Sequence, residues 1–245
     1  MFDLSKKIIC VTGSNGLIGR EIANTLREAG STVIGIDIRH SEQGDHDVLC
    51  DTTSENDVNN WIDRIYERYG RIDGWVNNAY PRTADWGAPI ETMTMESWRT
   101  NVDLLMNSFF MCSRAVLERM KNAGRGCVIN MGSIYGVQAP DFTVYNNTKM
   151  TSAVGYSAIK GGIINLTRYL AAYYGKFNLR VNTVSPGGIF DNQPQPFVES
   201  YENKVPLKRM GKTSDIAPGI VFLMSDEASY VTGHNLLIDG GWTIV

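Results

Sequence analysis

Lys7-Ile8-Ile9-Cys10-Val11-Thr12-Gly13-Ser14-Asn15-Gly16-Leu17-Ile18-Gly19-Arg20 runs from an apolar stretch into a glycine turn and then into residues of helical period. A strand that feeds a helix through such a turn makes a cradle for a dinucleotide. Glycines at 13, 16 and 19 let the backbone turn sharply and approach a pyrophosphate, while the helix N-terminus offers unpaired N–H groups and a positive dipole end. Ser14, Asn15, Leu17 and Ile18 lie in the same turn and are expected to contact the cofactor with them. The spacing is GxxGxxG, not GxGxxG, so an ordinary glycine-rich strand-helix turn fits the motif as well. The next apolar run, Thr32-Val33-Ile34-Gly35-Ile36-Asp37, ends in a carboxylate where an acid bonds the adenosine ribose hydroxyls. That favours NAD(H) over NADP(H), although Arg39 could approach a 2′-phosphate.

The 245 residues, 43% of them hydrophobic, suffice for one substantial core, and no Pro/Ser-rich linker divides them, so residues 1–245 read as a single domain. A net charge of −3 without a basic block or acidic tail argues against a nucleic-acid partner. Cys10, Cys50, Cys112 and Cys127 show no CxxC spacing and read as reduced thiols, three of them inside apolar runs, and no metal site is expected. No apolar span is long enough for a membrane helix, and Met1-Phe2-Asp3-Leu4-Ser5 lacks the layout of a signal peptide, which points to the cytoplasm.

Val- and Ile-rich runs near 7–12, 32–37, 47–50, 74–78, 127–131, 180–185 and 235–238 alternate with segments of helical period. Seven such strands with intervening helices predict an α/β fold, a doubly wound parallel sheet with helices on both faces. Trp98, Val102, Leu105, Phe109, Cys112 and Val116 form one helical stripe, and Ile159, Ile163, Leu166 and Leu170 another. Ligands bind such sheets beyond the strand C-termini, which here read Thr12-Gly13, Asp37, Asp51, Asn77-Asn78-Ala79, Gly132-Ser133 and Ser185-Pro186-Gly187. Asp51 is expected to close the adenine pocket; an N-cap or turn role in Asp51-Thr52-Thr53-Ser54 is the alternative.

Tyr156-Ser157-Ala158-Ile159-Lys160 puts a phenol and an ammonium one helical turn apart on the same face. About 4 kcal/mol of preference for the ionised form would bring an ordinary phenol, of pKa about 10, close to neutrality and make it an acid/base for a carbinol/carbonyl pair. The pattern is weak alone, since Tyr145-Asn146-Asn147-Thr148-Lys149 repeats it eleven residues earlier. Context separates them. Tyr156 leads into the amphipathic stretch Ile159 to Tyr174, whereas Tyr145 lies in Val137 to Gly155, a Pro-, Thr-, Asn- and Gly-containing segment that reads as a loop.

Together these residues resemble the short-chain dehydrogenase/reductase family in its roughly 250-residue format, from the first strand to the last. Thr12-Gly13 with Gly16 and Gly19 resembles its cofactor turn, Asn77-Asn78-Ala79 its NNA motif, Asn101 its helix asparagine and Ser133 its active-site serine. Tyr156 and Lys160, Arg180-Val181-Asn182, Pro186-Gly187, Thr232-Gly233 and Asp239-Gly240-Gly241 resemble the rest of its signature. The resemblance implies a Rossmann-type fold, a homodimer or homotetramer, and a division of roles. Ser133 would bond the substrate oxygen, Tyr156 would exchange its proton, Lys160 would also hold the nicotinamide ribose, and Asn101 would support a water relay to that lysine. Asn78, Ala79, Pro186, Gly187 and Ile189 would line the cofactor. Gly161-Gly162 inside a helix costs about 1 kcal/mol per glycine relative to alanine and suggests close packing there.

Three departures stand out. Most short-format members carry TGxxxGxG in the turn; Tyr80 stands where a glycine usually follows NNA; and 22 residues separate Ser133 from Tyr156, more than is usual in the family. The insertion, from Ala139-Pro140-Asp141 to Met150-Thr151-Ser152-Ala153, is expected to fold over the substrate site. Ser133-Ile134-Tyr135-Gly136, the insertion, and Ser185 through Pro194 resemble oxidoreductases linked to flagellin modification and surface-sugar synthesis. That likeness implies a carbohydrate or sugar-nucleotide substrate. Arg82, Thr151, Asp191, Asn192 and Gln193 would bond its hydroxyls, and Tyr80, Trp86 and Tyr135 would stack on its ring faces. The expected activity is NAD(P)-dependent interconversion of a secondary alcohol and a ketone. The alternatives are an epimerase or dehydratase that retains its NAD, which the GxxGxxG spacing encourages and the short C-terminal region argues against, and a non-catalytic dinucleotide sensor, which the intact Asn101, Ser133, Tyr156 and Lys160 disfavour.

Overall fold

The computed structural model describes residues 2–39 and 46–245. Its strands are β1 (Ile8–Thr12), β2 (Thr32–Asp37), β3 (Val48–Leu49), β4 (Gly74–Asn77), β5 (Gly126–Met131), β6 (Leu179–Pro186) and β7 (Asn235–Ile238). All pair in parallel in the order β3-β2-β1-β4-β5-β6-β7. The helices are α1 (Leu17–Glu28), α2 (Glu55–Tyr69), α3 (Met95–Asn101), α4 (Ser108–Ala123), α5 (Val154–Tyr174), α6 (Gln195–Lys204) and α7 (Thr213–Met224). Strand order reverses between β1 and β4, so the chain leaves these two neighbouring strands toward opposite faces and opens a crevice at their C-terminal ends.

Successive side chains of a strand point to opposite faces, and both faces of this sheet are buried. Ile9 and Val11 of β1 pack with Ile22 and Leu26 of α1 and Ile216 and Ile220 of α7. Ile8 and Cys10 point the other way, against Val58 and Ile62 of α2, Val116 and Leu117 of α4 and Leu170 of α5. This is the doubly wound sheet that the alternation of runs predicts. β1 begins one residue later than expected, and β3 and β4 are also shorter. The run at 47–50 pairs with β2 only at Val48 and Leu49, and β4 stops at Asn77 because the Asn78 N–H turns to the Thr12 hydroxyl, at 2.9 Å. All four cysteines are buried and free. Among the described residues, no helix is long and apolar enough to cross a membrane.

The stripe from Trp98 to Val116 is not one α-helix. α3 and α4 are joined by a widened π-helical segment, Val102–Asn107. The ladder widens where the Asn101 amide donates to the Ser97 carbonyl, 2.9 Å away, so a side chain competes for the acceptor that helix hydrogen bonding uses. Leu105, Phe109, Cys112 and Val116 are nevertheless all buried. The close packing foreshadowed by Gly161-Gly162 is found within the chain. A Cβ on Gly162 would stand 2.8 Å from Cε of Met106 in the π segment.

Candidate active site

A cleft of about 950 Å³ runs along the C-terminal ends of the strands, from the β2 and β3 ends past the glycine turn to the start of α5. Gly13 makes the turn with φ +64°, and a Cβ there would stand 2.8 Å from Cα of Ala79, so the turn and the end of β4 meet backbone to backbone. The Thr12 hydroxyl fastens them, accepting the N–H groups of Asn78 (2.9 Å) and Ala79 (3.0 Å) and donating to the Val76 carbonyl. The Asn78 amide donates to the carbonyls of Thr12 and Gly13, at 3.0 and 3.1 Å. α1 then starts at an N-cap glycine, Gly16, with no side-chain cap and no acidic residue in its first turn, and Gly16, Leu17, Ile18 and Gly19 line the cleft. Its N–H groups and positive dipole end therefore remain available to an anion in the cleft.

At the β2 end, the Asp37 carboxylate accepts the N–H groups of Asn15 (3.0 Å) and Arg39 (3.1 Å), with the Arg39 guanidinium 3.7 Å away. Asp37 is 7% exposed, yet still reaches the cleft wall. Asp51 lines the same end, with one carboxylate oxygen accepting both the N–H and the hydroxyl of Thr53. Those bonds to Thr53 give Asp51 the turn role expected as its alternative, while the N-cap falls to Ser54, which accepts the Asp57 N–H and starts α2. Cys50, Thr52 and Thr53 share the wall, and nothing in their sequence context marks them for it. Two residues of the turn depart from expectation. Ser14 and Asn15 line a small separate recess with Asp47 and Leu49, the buried Ser14 hydroxyl has no partner among the described residues, and the Asn15 amide donates to the Arg39 carbonyl.

The other end is built from β5, the first turn of α5 and the loop after β6. Tyr156 and Lys160 face the cleft one helical turn apart, beside Met131, Gly132, Pro186, Gly187 and Ile189. Lys160 is 4% exposed and donates to the Met131 carbonyl at 2.6 Å, with its nitrogen 5.7 Å from the centre of the Tyr156 ring. Burial pulls the Lys160 ammonium down to about 7. Burial also raises the Tyr156 phenol, and hydrogen bonding with the Ser133 hydroxyl opposes that rise. Burial thus acts on both members of the pair, disfavouring the charged form of each. The Ser133 hydroxyl also accepts the Tyr135 N–H at 3.1 Å. The Met131 carbonyl, which fixes Lys160, belongs to the backbone and has no sequence signature.

Asn101 does not join this group. Its amide donates to the hydroxyl of Thr83 (2.7 Å) and to the carbonyl and hydroxyl of Ser97 (2.9 and 3.2 Å), and its oxygen accepts the Thr83 N–H at 3.0 Å. A buried amide so bonded holds the 83–97 segment in place, with its side-chain N–H groups engaged.

Of the substrate candidates, Tyr80, Arg82, Asp191 and Gln193 line the cleft. Tyr80 packs edge-on against Tyr156 and Trp86, with ring centres 5.8 and 5.9 Å apart, and Arg82 lies 4.7 Å above the Tyr80 ring. Trp86 is buried with Leu105, Phe109 and Ile163 and supports Tyr80 from behind, so it has no free face to stack on a sugar. Tyr135 points its hydroxyl to that of Tyr145, 3.0 Å away. Thr151 and Asn192 lie off the cleft wall. The long insertion lines none of the cleft wall, although its Tyr145 hydroxyl meets that of Tyr135, which packs edge-on against Tyr156 at 6.4 Å. Val144, Tyr145 and Met150 pack on Phe197, Val198 and Tyr201 of α6 and on Trp242, and Asp141 pairs with Lys204. Apolar side chains in the segment give it a core of its own beside the cleft.

A family model described as enoyl-(acyl carrier protein) reductase matches residues 13–243. Post-translational flagellin modification protein A of Campylobacter coli is 36% identical, over 98% of this chain and 99% of that one. The chain belongs to the short-chain dehydrogenase/reductase family. Another member, cyclopentanol dehydrogenase of Comamonas testosteroni, is 31% identical over 98% of both chains. The crystal structure of a short-chain dehydrogenase from Leptospira borgpetersenii with bound NAD+ superposes with a TM-score of 0.89 at 34% identity, over 98% of this chain and 94% of that one. This short-chain dehydrogenase/reductase is therefore an oxidoreductase acting on CH–OH groups with a nicotinamide dinucleotide.

Proposed function

We propose that the enzyme interconverts a secondary alcohol and a ketone on a carbohydrate-class substrate, with NAD(H) preferred over NADP(H). The observation that carries this reading is the shared cleft, in which an uncapped helix N-terminus and the Asp37 carboxylate stand at one end and Tyr156 with Lys160 at the other. The residues fit a dinucleotide on steric grounds as well, since Gly13, Gly16 and Gly19 add no side chains of their own to the turn. Gly13, Gly16, Leu17, Ile18 and Gly19 would hold the pyrophosphate, Asp37 and Asp51 the adenosine, and Ala79, Lys160, Pro186, Gly187 and Ile189 the nicotinamide end. Asp37 supports NAD(H), because a carboxylate accepts ribose hydroxyls and repels a 2′-phosphate. A nicotinamide bound there supplies the acceptor or donor of hydride.

Tyr156 gives its phenolic proton to the carbonyl oxygen in reduction and takes the hydroxyl proton in oxidation. Its raised phenol is protonated at neutral pH, the form that reduction requires. The Ser133 hydroxyl orients the reacting oxygen, and Lys160 supplies positive charge where the phenolate forms. Tyr80, Asp191 and Gln193 give the cleft one aromatic wall and several polar groups, which suits a polyhydroxylated ligand. The likeness to a flagellin modification protein supports the same class. The chain would work as one nucleotide-binding unit, as a homodimer or homotetramer, in the cytoplasm, where its four buried free thiols stay reduced. The test is NADH formation from a panel of sugar nucleotides, sugars, polyols and cyclic alcohols. Tyr156→Phe should abolish turnover of any substrate found while NADH binding persists, and Tyr145→Phe should keep substantial activity. The reverse pattern would overturn the assignment of the acid/base, and turnover confined to non-carbohydrate alcohols would overturn the substrate class.

A further inference from the structure

Three cationic side chains reach the cleft, and two of them are engaged. Arg39 faces Asp37, and Lys160 is buried on the Met131 carbonyl. Arg82 has no carboxylate partner among the described residues and makes only a long bond of 3.4 Å to the Tyr80 carbonyl. Its guanidinium is nevertheless placed, lying 4.7 Å above the Tyr80 ring. That ring is fixed by its edge contacts with Tyr156 and Trp86. The nearest acid in sequence, Asp85, is taken up by the hydroxyls of Thr83 and Ser97, at 2.5 and 2.9 Å. Arg82 is thus a solvent-facing cation without a carboxylate partner among the described residues, set on the ring of Tyr80, which packs against Tyr156.

We propose that Arg82 binds an oxyanion of the substrate, a phosphate or a carboxylate, so that the substrate is an anionic carbohydrate oriented toward Tyr156. This rests on the reading of the Tyr156 end as the substrate site. A guanidinium suits the task because its planar fork can donate two parallel N–H bonds to either oxyanion, and stacking on an aromatic ring leaves its edge free to do so. Tyr80 takes part by replacing a small residue with a ring that carries the cation. Asp191, also on the cleft wall, could instead close onto Arg82 as an ion pair, and the two ideas predict different behaviour of an Asp191 variant.

The experiment is calorimetric titration of the NADH-loaded protein with glucose 6-phosphate, glucuronate and neutral glucose, for the parent, Arg82→Gln, Arg82→Lys and Asp191→Asn. At least one anionic probe should bind the parent ten-fold or more tightly than glucose does, and the phosphate and carboxylate arms identify which oxyanion is preferred. Arg82→Gln should erase that preference while NADH affinity stays within two-fold, Arg82→Lys should restore part of it, and Asp191→Asn should leave it intact or strengthen it. Equal binding of anionic and neutral probes by the parent, or the same preference in Arg82→Gln, would overturn the proposal. Loss of the preference in Asp191→Asn would show a latch instead. An anion that competes with NADH would place Arg82 with the nucleotide, a failure of the substrate-site reading distinct from a failure of anion recognition.

Discussion

Replacing Lys160 by methionine should change how stability depends on pH, and the size of the effect follows from the lysine's burial. In the folded chain Lys160 is 4% exposed, and its pKa falls from 10.5 to about 7. The unfolded chain therefore binds more protons than the folded one between those two values, and stability rises with pH across that window. Above the unfolded pKa the lysine is neutral in both states and carries no penalty. As pH falls through the folded value, the cost of burying the charge becomes complete, about 5 kcal/mol at the limit. Between pH 7 and about pH 9.5 the parent should gain about 3 kcal/mol from this group alone. Lys160→Met fills similar space without a titratable group. It also leaves the Met131 carbonyl without its donor, but that loss does not vary with pH and shifts the variant's curve without tilting it. Urea unfolding followed by tryptophan fluorescence gives both free energies by linear extrapolation. The difference between parent and variant should move by about 3 kcal/mol over the interval, in favour of the parent at the higher pH. Parallel curves, agreeing to within about 1 kcal/mol, would refute the claim that burial holds this lysine low. A confirmed slope would mean that the fold tolerates a destabilising cation at the one place where the chemistry requires it.

Asp37→Ser should raise the efficiency with NADP(H) relative to NAD(H), because it removes the repelling carboxylate and leaves Arg39 free to meet a 2′-phosphate; an unchanged ratio of kcat/KM values would show that Asp37 does not select the cofactor. Val144→Ala, in the insertion, should cost about 1–3 kcal/mol in thermal or urea unfolding while KM stays within two-fold, since the side chain is fully buried against α6 and off the cleft wall. A large rise in KM without loss of stability would return the insertion to the role of a lid. With substrate in hand, oxidation should speed up as pH rises above neutrality and reduction should slow, because burial holds the Tyr156 phenol protonated; pH profiles of kcat/KM in both directions test this.

By itself, the sequence determined the features that depend on short spans of chain. The alternation of Val- and Ile-rich runs with helical segments fixed a doubly wound sheet, because strand and helix periodicities are local properties. Gly13, Asp37, Tyr156 and Lys160 were legible because each sits at an element end whose chemistry is written in its neighbours. Only the tertiary structure decided which side chains had anything left to offer. The sequence marks Asn101 as a polar residue on an apolar stripe, but only the fold shows its amide tied to Thr83 and Ser97. The insertion reads as a lid until Val144 and Tyr145 are found against α6, a packing partner some fifty residues further along the chain. Lys160 reads as the cation that acidifies Tyr156 until burial is seen to act on both. Hydrogen-bond saturation, desolvation and long-range packing are set by groups distant in sequence, and the folded chain is where they first meet.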